Sequence, residues 1–168
     1  DEFKKLQLPD FALVADIGCG SGVLGITASL EKAEIRLNMI DIDEKVFNIA
    51  KSNARTFEIK AEYYTGDLLE AYPDKYDVLL CNLPYVPVNY PVNKASEHEP
   101  RIALFSGSDG LEHFRRLFKQ LQTGDYGTPV VITESLVEQH KQLKEIAQEA
   151  GFKQTAEKDL VQVFKMKI

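Results

Sequence analysis

The sequence predicts an α/β fold, a doubly wound and mostly parallel sheet of seven strands with helices on both faces and an antiparallel last strand. Two observations support this prediction. Short apolar runs alternate with segments of helical periodicity along the chain, which is the pattern of βα units. The run Tyr76–Cys81 is almost entirely apolar, as expected for a strand inside a sheet that is covered on both faces. Such sheets bind their ligands at the carboxyl ends of the strands.

The first two βα units have clear boundaries. Ala12–Ile17 is an apolar strand that ends at Gly18, and Gly22–Leu30 is a helix. Glu34–Ile42 is the second strand, after which Asp43 can cap a helix that extends to Phe57. The remaining predicted elements are the strands Ala61–Thr65, Tyr76–Cys81, Pro129–Thr133, Phe152–Ala156 and Val161–Ile168, of which the last two pair, and the helices Leu111–Leu121 and Leu136–Ala150.

Residues 86–108 show little periodicity, and they form a long connection for a compact domain. Connections of this length usually have a function, so we expect this one to form a wall of a ligand cleft. The whole chain of 168 residues, with 44% hydrophobic content, is expected to be one domain, residues 1–168. It begins with Asp rather than Met, which is compatible with a longer polypeptide.

The charge and cysteine content narrow the function classes. A net charge of −6 provides no overall positive field to attract nucleic acid. Cys19 and Cys81 are far apart and lack the Cys or His spacing of a zinc site, so we expect reduced thiols, no metal and a cytoplasmic location. No apolar run approaches the roughly 18 residues of a membrane span, and the first residues lack the charged-then-apolar pattern of a leader, so we expect neither a span nor a leader.

A glycine-rich turn follows the first strand and has the sequence Gly18-Cys19-Gly20-Ser21-Gly22. Glycines let the backbone approach a ligand without a Cβ in the way, and the following helix offers unpaired N–H groups. Asp16, at the end of the strand, adds a negative charge that disfavours a phosphate but suits the ammonium group of an amino-acid-like ligand. This combination favours S-adenosylmethionine.

Acidic residues stand at three predicted strand ends and suit three parts of that ligand. In this interpretation Asp16 faces the ammonium group, Asp41 holds the ribose hydroxyls, and Asp67 with Leu68 meets the adenine, while the backbone of the glycine turn packs against the methionine part. Three alternatives stay open: a plain strand-to-helix turn, an Asp41 that only caps a helix, and an NAD site. The NAD fingerprint matches Gly20-x-Gly22-x-x-Gly25, but it would begin two residues after the strand ends.

The sequence Asn82-Leu83-Pro84-Tyr85 follows the apolar strand at the same predicted edge of the sheet. A planar NH₂ group, as in glutamine or adenine, is a poor nucleophile because its lone pair is delocalised. The side-chain oxygen of Asn82 and the carbonyl of Leu83 can each accept one of its N–H bonds, while the Tyr85 ring stacks on the planar group. Because Leu83 precedes proline, its carbonyl is held in an extended conformation. A turn with a chance Asn and Tyr is the alternative.

These motifs together resemble the HemK/PrmC-type class I methyltransferases, which methylate the glutamine of the Gly-Gly-Gln motif in peptide chain release factors. The segment Glu99-Pro100-Arg101-Ile102-Ala103-Leu104, with Gly107 and Asp109-Gly110-Leu111, is similar to a segment of this particular family. Leu83 stands where the family has a proline. Residues 1–168 do not contain the family's helical N-terminal domain, so we expect an upstream domain or a partner subunit to help to recognise the substrate.

The resemblance implies a Rossmann-like fold, S-adenosyl-L-methionine as cofactor with S-adenosyl-L-homocysteine as product, and a release factor as substrate. It implies cofactor-binding roles for Asp16, Gly18, Cys19, Gly20, Ser21, Gly22, Asp41, Ile42, Asp67, Leu68 and Asn82, and catalytic roles for Asn82, Leu83, Pro84 and Tyr85. Methylation of adenine in RNA or DNA is the main alternative, and a donor-binding subunit without catalysis is another.

Other polar residues are expected to have no role in catalysis. His98, His113 and His140 share no motif with another titratable group, so we expect them at the surface. Arg115, Arg116 and Lys119 form a basic strip on one helix, which is expected to be a solvated face rather than a binding site for an acidic partner.

Overall fold

The computed structural model describes residues 1–91 and 101–167, with Ile102 described by its backbone alone. It confirms the predicted fold, a seven-stranded sheet with the order β3-β2-β1-β4-β5-β7-β6. The strands are β1 Leu13–Ile17, β2 Arg36–Asp41, β3 Glu62–Thr65, β4 Val78–Cys81, β5 Val130–Glu134, β6 Phe152–Lys158 and β7 Val161–Met166. The helices are α1 Val23–Glu31, α2 Phe47–Thr56, α3 Arg101–Leu104, α4 Glu112–Thr123 and α5 His140–Glu149.

The strand register brings the predicted functional motifs to one edge of the sheet. β1 pairs in parallel with β2 and with β4, so that Ile17 lies beside Ile40 on one side and beside Cys81 on the other. The segments that follow these strands therefore leave the sheet at the same edge. β7 is antiparallel to both β5 and β6, which confirms the antiparallel last strand.

Helices cover both faces of the sheet because each has one apolar side. On one face, Phe114 and Phe118 of α4 and Leu143 of α5 join a buried cluster with the sheet residues Ile17 and Leu79. On the other face, α1 and α2 pack their apolar residues against β2. None of the helices within residues 1–91 and 101–167 has the length and apolar character needed to cross a lipid bilayer.

The connection at residues 86–108 contains a short helix, α3, that the sequence pattern does not predict. The two described parts of the connection pair with each other. Val86 N–H donates to the Leu104 carbonyl at 2.8 Å, and Val88 N–H donates to the Gly107 carbonyl at 3.0 Å. A helix of four residues has only one turn, so it leaves no periodic apolar stripe by which to predict it. Glu99 and Pro100, which begin the segment that resembles the methyltransferase family, lie outside the described residues.

The expected surface position of His140 is wrong. This residue starts α5 and is buried, with its Nδ1 at 3.2 Å from Glu157 Oε1, because the first turn of the helix lies against β7, where Gln162 donates to the His140 carbonyl. His113 is half-buried, and this burial lowers its pKa. His98 lies outside the described residues.

Cys19 and Cys81 are free thiols, and both are buried. Burial raises the pKa of each thiol, and the nearby carboxyl group of Asp16 raises both further. Both sulfurs are therefore protonated and unreactive at neutral pH. The part of the chain that the structure describes holds no group of three or more His, Cys, Asp or Glu residues that could bind a metal ion.

Candidate active site

The glycine turn between β1 and α1 adopts a backbone that only glycine tolerates without strain. The φ angles are +68° at Gly18, +51° at Gly20 and +79° at Gly22. The Ile40 carbonyl, on the neighbouring strand β2, accepts the N–H of Gly18 at 2.8 Å and that of Cys19 at 3.0 Å. The turn is thus fixed to the sheet before any ligand binds.

The surroundings of these glycines show which of them pack against other residues and which borders open space. A Cβ at Gly18 would lie 3.1 Å from the Leu83 side chain, and a Cβ at Gly22 would lie 3.1 Å from the sulfur of Met39. A Cβ at Gly20 would meet no atom of the described residues within 4 Å and would project into open space. The Gly20 backbone therefore borders a free volume, as a backbone cradle for a ligand requires. Ser21 is exposed beside it.

Asp16 is a buried carboxyl group beneath the glycine turn, with 1% of its surface exposed. Its Oδ2 accepts the N–H of Gly25, in the first turn of α1, at 2.8 Å. Its Oδ1 accepts no hydrogen bond from the residues in the two described ranges. Burial raises the pKa of Asp16 to about 7; the Gly25 hydrogen bond opposes this shift and the negative charge of Asp41 adds to it. A cation bound beside Asp16 would relieve this cost.

Asp41 ends β2 and orders the backbone of the turn. One carboxylate oxygen accepts the Gly20 N–H at 2.9 Å, and the other accepts the Asp43 N–H at 3.0 Å. The helix-capping role belongs to Asp43, whose side chain accepts the Lys45 N–H. Ile42 lies between these acids with 60% of its side chain exposed. An exposed apolar side chain beside a carboxylate suits the ring and the sugar of a nucleoside.

Asp67 and Leu68 follow β3 on the far side of β2. The Asp67 carboxylate forms an ion pair with Arg116 of α4. Leu68 is buried and has a φ of +54°, a left-handed conformation that is unfavourable for leucine. Strained backbone of this kind tends to occur at ligand sites, where the surrounding structure enforces it.

Two residues of the expected solvated basic strip are paired within the protein. Arg116 binds Asp67, and Arg115 binds the carboxylate of Asp109. Asp67 is distant in the sequence and Asp109 lies in the turn before α4, so no pattern along the helix itself predicts these ion pairs. Lys119 is exposed. The expectation of a fully solvated face is therefore wrong for the two arginines.

The acceptor loop, Asn82–Tyr85, follows β4 directly. Asn82 is exposed, and neither its side-chain amide nor the Leu83 carbonyl is hydrogen-bonded to any of the described residues. The Leu83 side chain is 3% exposed and packs beside Gly18, which places the acceptor loop next to the glycine turn. Two hydrogen-bond acceptors therefore lie at the edge of the sheet with no partner in the described part of the chain.

Tyr85 is half-buried and is held at both ends. Its hydroxyl donates to Glu134 Oε1 at 2.9 Å, and its backbone carbonyl accepts a hydrogen bond from Gln139 Nε2 at 2.7 Å. Sequence reasoning missed both partners. Glu134 is the last residue of β5, and its position at a strand end, like that of Asp41, is a signal by which it could have been found. Gln139 carries no comparable signal.

The turn at Asp109-Gly110-Leu111 supports the acceptor loop from the other side. Hydrogen bonds from Arg115 lower the pKa of Asp109 to about 2, so its carboxylate is charged at neutral pH. Its Oδ1 also accepts the Leu111 N–H at 3.1 Å, which closes the turn. Gly110 is buried, and its φ is +78°. The Asp109-Gly110-Leu111 part of the family-like segment therefore supports the loop at Tyr85.

A cavity of about 280 Å³ opens beside Asn82 and Glu134. Apolar residues of α1, β4, β5 and β7 form much of its wall, including Leu24, Leu80, Ile132 and Val161. The two lysines that line it are neutralised, since Lys4 pairs with Glu31 at 2.7 Å and Lys158 pairs with Asp1 at 3.1 Å. The cavity is thus apolar with a neutral to acidic rim.

Comparisons with known proteins agree with this arrangement. Residues 3–95 match the model of the methyltransferase small domain. A release factor glutamine methyltransferase of Bacillus anthracis is 37% identical over 145 residues, which are 82% of this chain and 50% of that protein. The chain thus spans about half the length of the curated relatives it matches. The resemblance that the motifs indicate is confirmed along most of the chain.

Solved structures share the fold at low sequence identity. The ribosomal protein L11 methylase of Lactobacillus delbrueckii subsp. bulgaricus superposes with a TM-score of 0.71 at 19% identity, over 99% of this chain and 75% of that one. The magnesium protoporphyrin IX methyltransferase of Synechocystis, solved with bound SAM, gives a TM-score of 0.62 at 19% identity, over 94% of this chain and 71% of that one. On the family match over residues 3–95, the chain belongs to the methyltransferase small domain family.

Proposed function

We propose that the protein is an S-adenosylmethionine-dependent N-methyltransferase that methylates the side-chain amide of a glutamine, in the Gly-Gly-Gln motif of a peptide chain release factor. One observation carries the proposal: beside the glycine turn, the Asn82 amide and the Leu83 carbonyl form no hydrogen bond with residues 1–91 or 101–167. The names of the relatives support the choice of substrate. Two buried, unpaired cysteines support a cytoplasmic location.

The donor site fits S-adenosylmethionine in three respects. The open space at Gly20 admits a ligand against the backbone, the free Oδ1 of Asp16 suits an ammonium group, and exposed Ile42 beside Asp41 suits a nucleoside. Asp67 and Leu68 extend this surface towards the adenine, while Gly18, Cys19, Ser21 and Gly22 supply the rest of the cradle. When bound, S-adenosylmethionine supplies the methyl group. The relation of β7 to β5 differs from the all-parallel dinucleotide-binding sheet, which argues against NAD.

The acceptor loop activates a planar amide without a strong base. The Asn82 oxygen and the Leu83 carbonyl each accept one N–H of the glutamine amide, which draws its protons away from the nitrogen and turns the lone pair towards the donor site. Pro84 has no N–H to compete for these acceptors. Tyr85, anchored on Glu134, covers the plane of the amide. The proton that the nitrogen loses when the methyl group replaces it passes to solvent at the exposed Asn82. The chain's contribution is therefore orientation and electrostatics.

The charges around the site favour a protein loop over a nucleic acid. The net charge is −6, and the two arginines of the basic strip, Arg115 and Arg116, are already paired with Asp109 and Asp67. Nucleic-acid binding of ordinary strength needs several cationic contacts with phosphates. A protein loop that inserts one glutamine beside an apolar cavity needs none. Adenine presents a similar NH₂ group, so the surrounding walls must exclude it.

The test of this function is direct methylation of candidate acceptors. The protein is incubated with methyl donor and a release factor, with the same factor carrying Gln→Ala in its Gly-Gly-Gln motif, and with mixed-sequence RNA and DNA. Mass spectrometry is expected to find one added methyl group on that glutamine only. Equal labelling of the Ala variant, or labelling of adenine alone, would refute the proposal. Donor binding without labelling of any of these acceptors would instead support a non-catalytic subunit.

Asp41→Ala is expected to weaken donor binding, because the ribose hydroxyls lose their acceptor and the Gly20 N–H loses its anchor. Charged hydrogen bonds of this kind are worth roughly 1 to 3 kcal/mol. Asp43→Ala is the matched control: it removes a helix cap and so lowers stability by about 1 kcal/mol, with donor affinity unchanged. Calorimetric titration with the donor and denaturant unfolding separate the two effects. Equal loss of affinity in both variants would contradict the assignment.

A further inference from the structure

We propose that Gln139 is a positioning residue for the acceptor loop, an inference that rests on the proposed methyltransferase function. Gln139 precedes α5 and is 6% exposed, so its side-chain amide lies inside the protein rather than in the cleft. It neither borders the glycine turn nor belongs to the acceptor loop. Its role follows from the three segments that this one amide joins.

Each hydrogen-bonding group of the Gln139 amide has a backbone partner. Nε2 donates to the Tyr85 carbonyl at 2.7 Å and to the Asp109 carbonyl at 2.7 Å, and Oε1 accepts the Leu136 N–H at 2.9 Å. The amide thus connects the acceptor loop, the Asp109–Leu111 turn and the segment after β5. Buried hydrogen-bond networks whose members are all satisfied hold a single geometry.

Gly110 closes the space around this connection. A Cβ at Gly110 would lie 2.0 Å from the Tyr85 carbonyl oxygen and 2.3 Å from Gln139 Nε2. Both distances are well inside van der Waals contact, so no residue with a side chain fits at this position without displacing the hydrogen bond. The absence of a side chain at Gly110 therefore lets the turn approach Tyr85 and Gln139 closely enough for Gln139 to bridge them.

Fixing Tyr85 also fixes the Leu83 carbonyl that receives the substrate. Pro84 lies between the two residues, and its ring restricts its own φ and the conformation of Leu83. The Glu134 carboxylate holds the Tyr85 hydroxyl, so that both the side chain and the main chain of Tyr85 are anchored. A small displacement of an orienting acceptor is enough to slow a reaction considerably. Gln139 acts on catalysis through this geometry.

Gln139→Glu turns the inference into a pH-dependent test. The carboxylate can still accept the Leu136 N–H, but its second oxygen faces two carbonyl oxygens and repels both. At about pH 8 we expect kcat, measured at saturating donor and acceptor, to fall about 10- to 100-fold with little change in donor affinity. At lower pH the protonated acid regains one donor, so the ratio of variant to wild-type kcat rises. Gln139→Met, which keeps the length but no hydrogen bond, should be slow at every pH.

Gln142→Glu is the matched control. Gln142 is exposed on α5 and contacts the Asp109 side chain at 3.2 Å, but it makes no hydrogen bond to the acceptor loop. Its variant is expected to keep the wild-type kcat and pH profile. A Gln142 variant that reproduces the behaviour of the Gln139 variant would show that charge near Asp109, and not the bond to Tyr85, controls the rate, and would overturn the inference.

Hydrogen exchange of the unliganded protein gives a readout that does not need activity. The N–H groups of Val86 and Val88 are hydrogen-bonded across the connection, and their exchange should accelerate at least about tenfold in Gln139→Met if Gln139 anchors the loop. Unchanged exchange, or an unchanged kcat in an active enzyme, overturns the inference. Accelerated exchange in a protein whose wild type methylates none of the acceptors supports the anchor and counts against the proposed function alone.

Discussion

Asp16→Asn is expected to raise the stability of the unliganded protein above pH 7 relative to wild type while it weakens donor binding. The wild-type protein buries a carboxylate that accepts one N–H, from Gly25. Asparagine keeps an acceptor for that N–H without a charge to bury. The substitution therefore removes an electrostatic cost and a ligand contact at the same time.

The sign of the pH dependence follows from the raised pKa. Asp16 has a pKa of about 7 in the folded protein against 3.8 for the ordinary carboxyl, so the folded state binds more protons than the unfolded state between these values. The stability of the wild type consequently falls as the pH rises through this range and levels off above it. The shift corresponds to a cost on the order of 4 kcal/mol when the group is fully ionised.

Urea unfolding of wild type and variant across this pH range isolates the effect, since the other titrating groups are common to both. The unfolding free energy of Asp16→Asn relative to wild type should increase by about 2 to 4 kcal/mol between about pH 4 and pH 8. Burial of the new amide changes the unfolding free energy by an amount that does not vary with pH. The test is therefore how the difference in unfolding free energy between variant and wild type changes with pH. A difference that stays constant with pH would contradict the burial of a carboxylate at Asp16.

Donor binding should depend on the same proton. An ammonium group beside Asp16 favours the ionised form, so binding at neutral pH should release a fraction of a proton on the order of one half. Calorimetric titration in buffers of different ionisation enthalpy measures this release. Asp16→Asn should bind the donor at least about tenfold more weakly, since a charged contact is lost, and should release no proton. If the variant still released a proton on binding the donor, the proton would come from a group other than Asp16.

The fold could be predicted from the sequence because its signals are local and periodic. The run of apolar residues before Cys81, the glycines after Ile17 and the apolar stripe around Phe114 each indicate an element without reference to the rest of the chain. The pairing of the last two strands could also be predicted, because the two strands are neighbours in the sequence. Helix α3 and the burial of His140 could not be predicted, because both depend on contacts between segments distant in the sequence.

In the candidate site, too, features with a local signal in the sequence could be predicted, and contacts between distant segments could not. Asn82, Leu83 and the acids Asp16, Asp41 and Asp67 lie in the last residues of parallel strands or just after them, where parallel topology alone brings them to one edge of the sheet. Side-chain hydrogen bonds and ion pairs connect Glu134 and Gln139 to Tyr85, and Arg116 to Asp67. The positions of these residues in the sequence do not indicate which partners they bind. The positions of polar residues at the strand ends were therefore easier to predict than the side chains that hydrogen-bond to them.

Asn82→Ala is expected to abolish most of the turnover and to leave the donor site intact. The Asn82 side chain is exposed and forms no hydrogen bond with the described residues, so its removal costs little stability. Removal of one preorganised group of this kind typically costs about 100- to 1,000-fold in kcat. The proposed main contacts with the donor, at Asp16, Asp41 and the glycine turn, do not involve Asn82, so the donor dissociation constant should change less than about threefold, as is usual for residues with no shared partner.

Asn48→Ala provides the matched control for this variant. Asn48 is an exposed asparagine on α2, outside the acceptor loop, so the same chemical change there should leave both kcat and donor affinity at wild-type values. Single-turnover methylation of a release factor at saturating donor reports the chemical step, and calorimetry reports donor binding. The comparison separates the two roles proposed for this edge of the sheet. If Asn82→Ala weakened donor binding as strongly as it slowed methyl transfer, Asn82 would be a donor-site residue, and the acceptor amide would have to be oriented by the Leu83 carbonyl and Tyr85 alone.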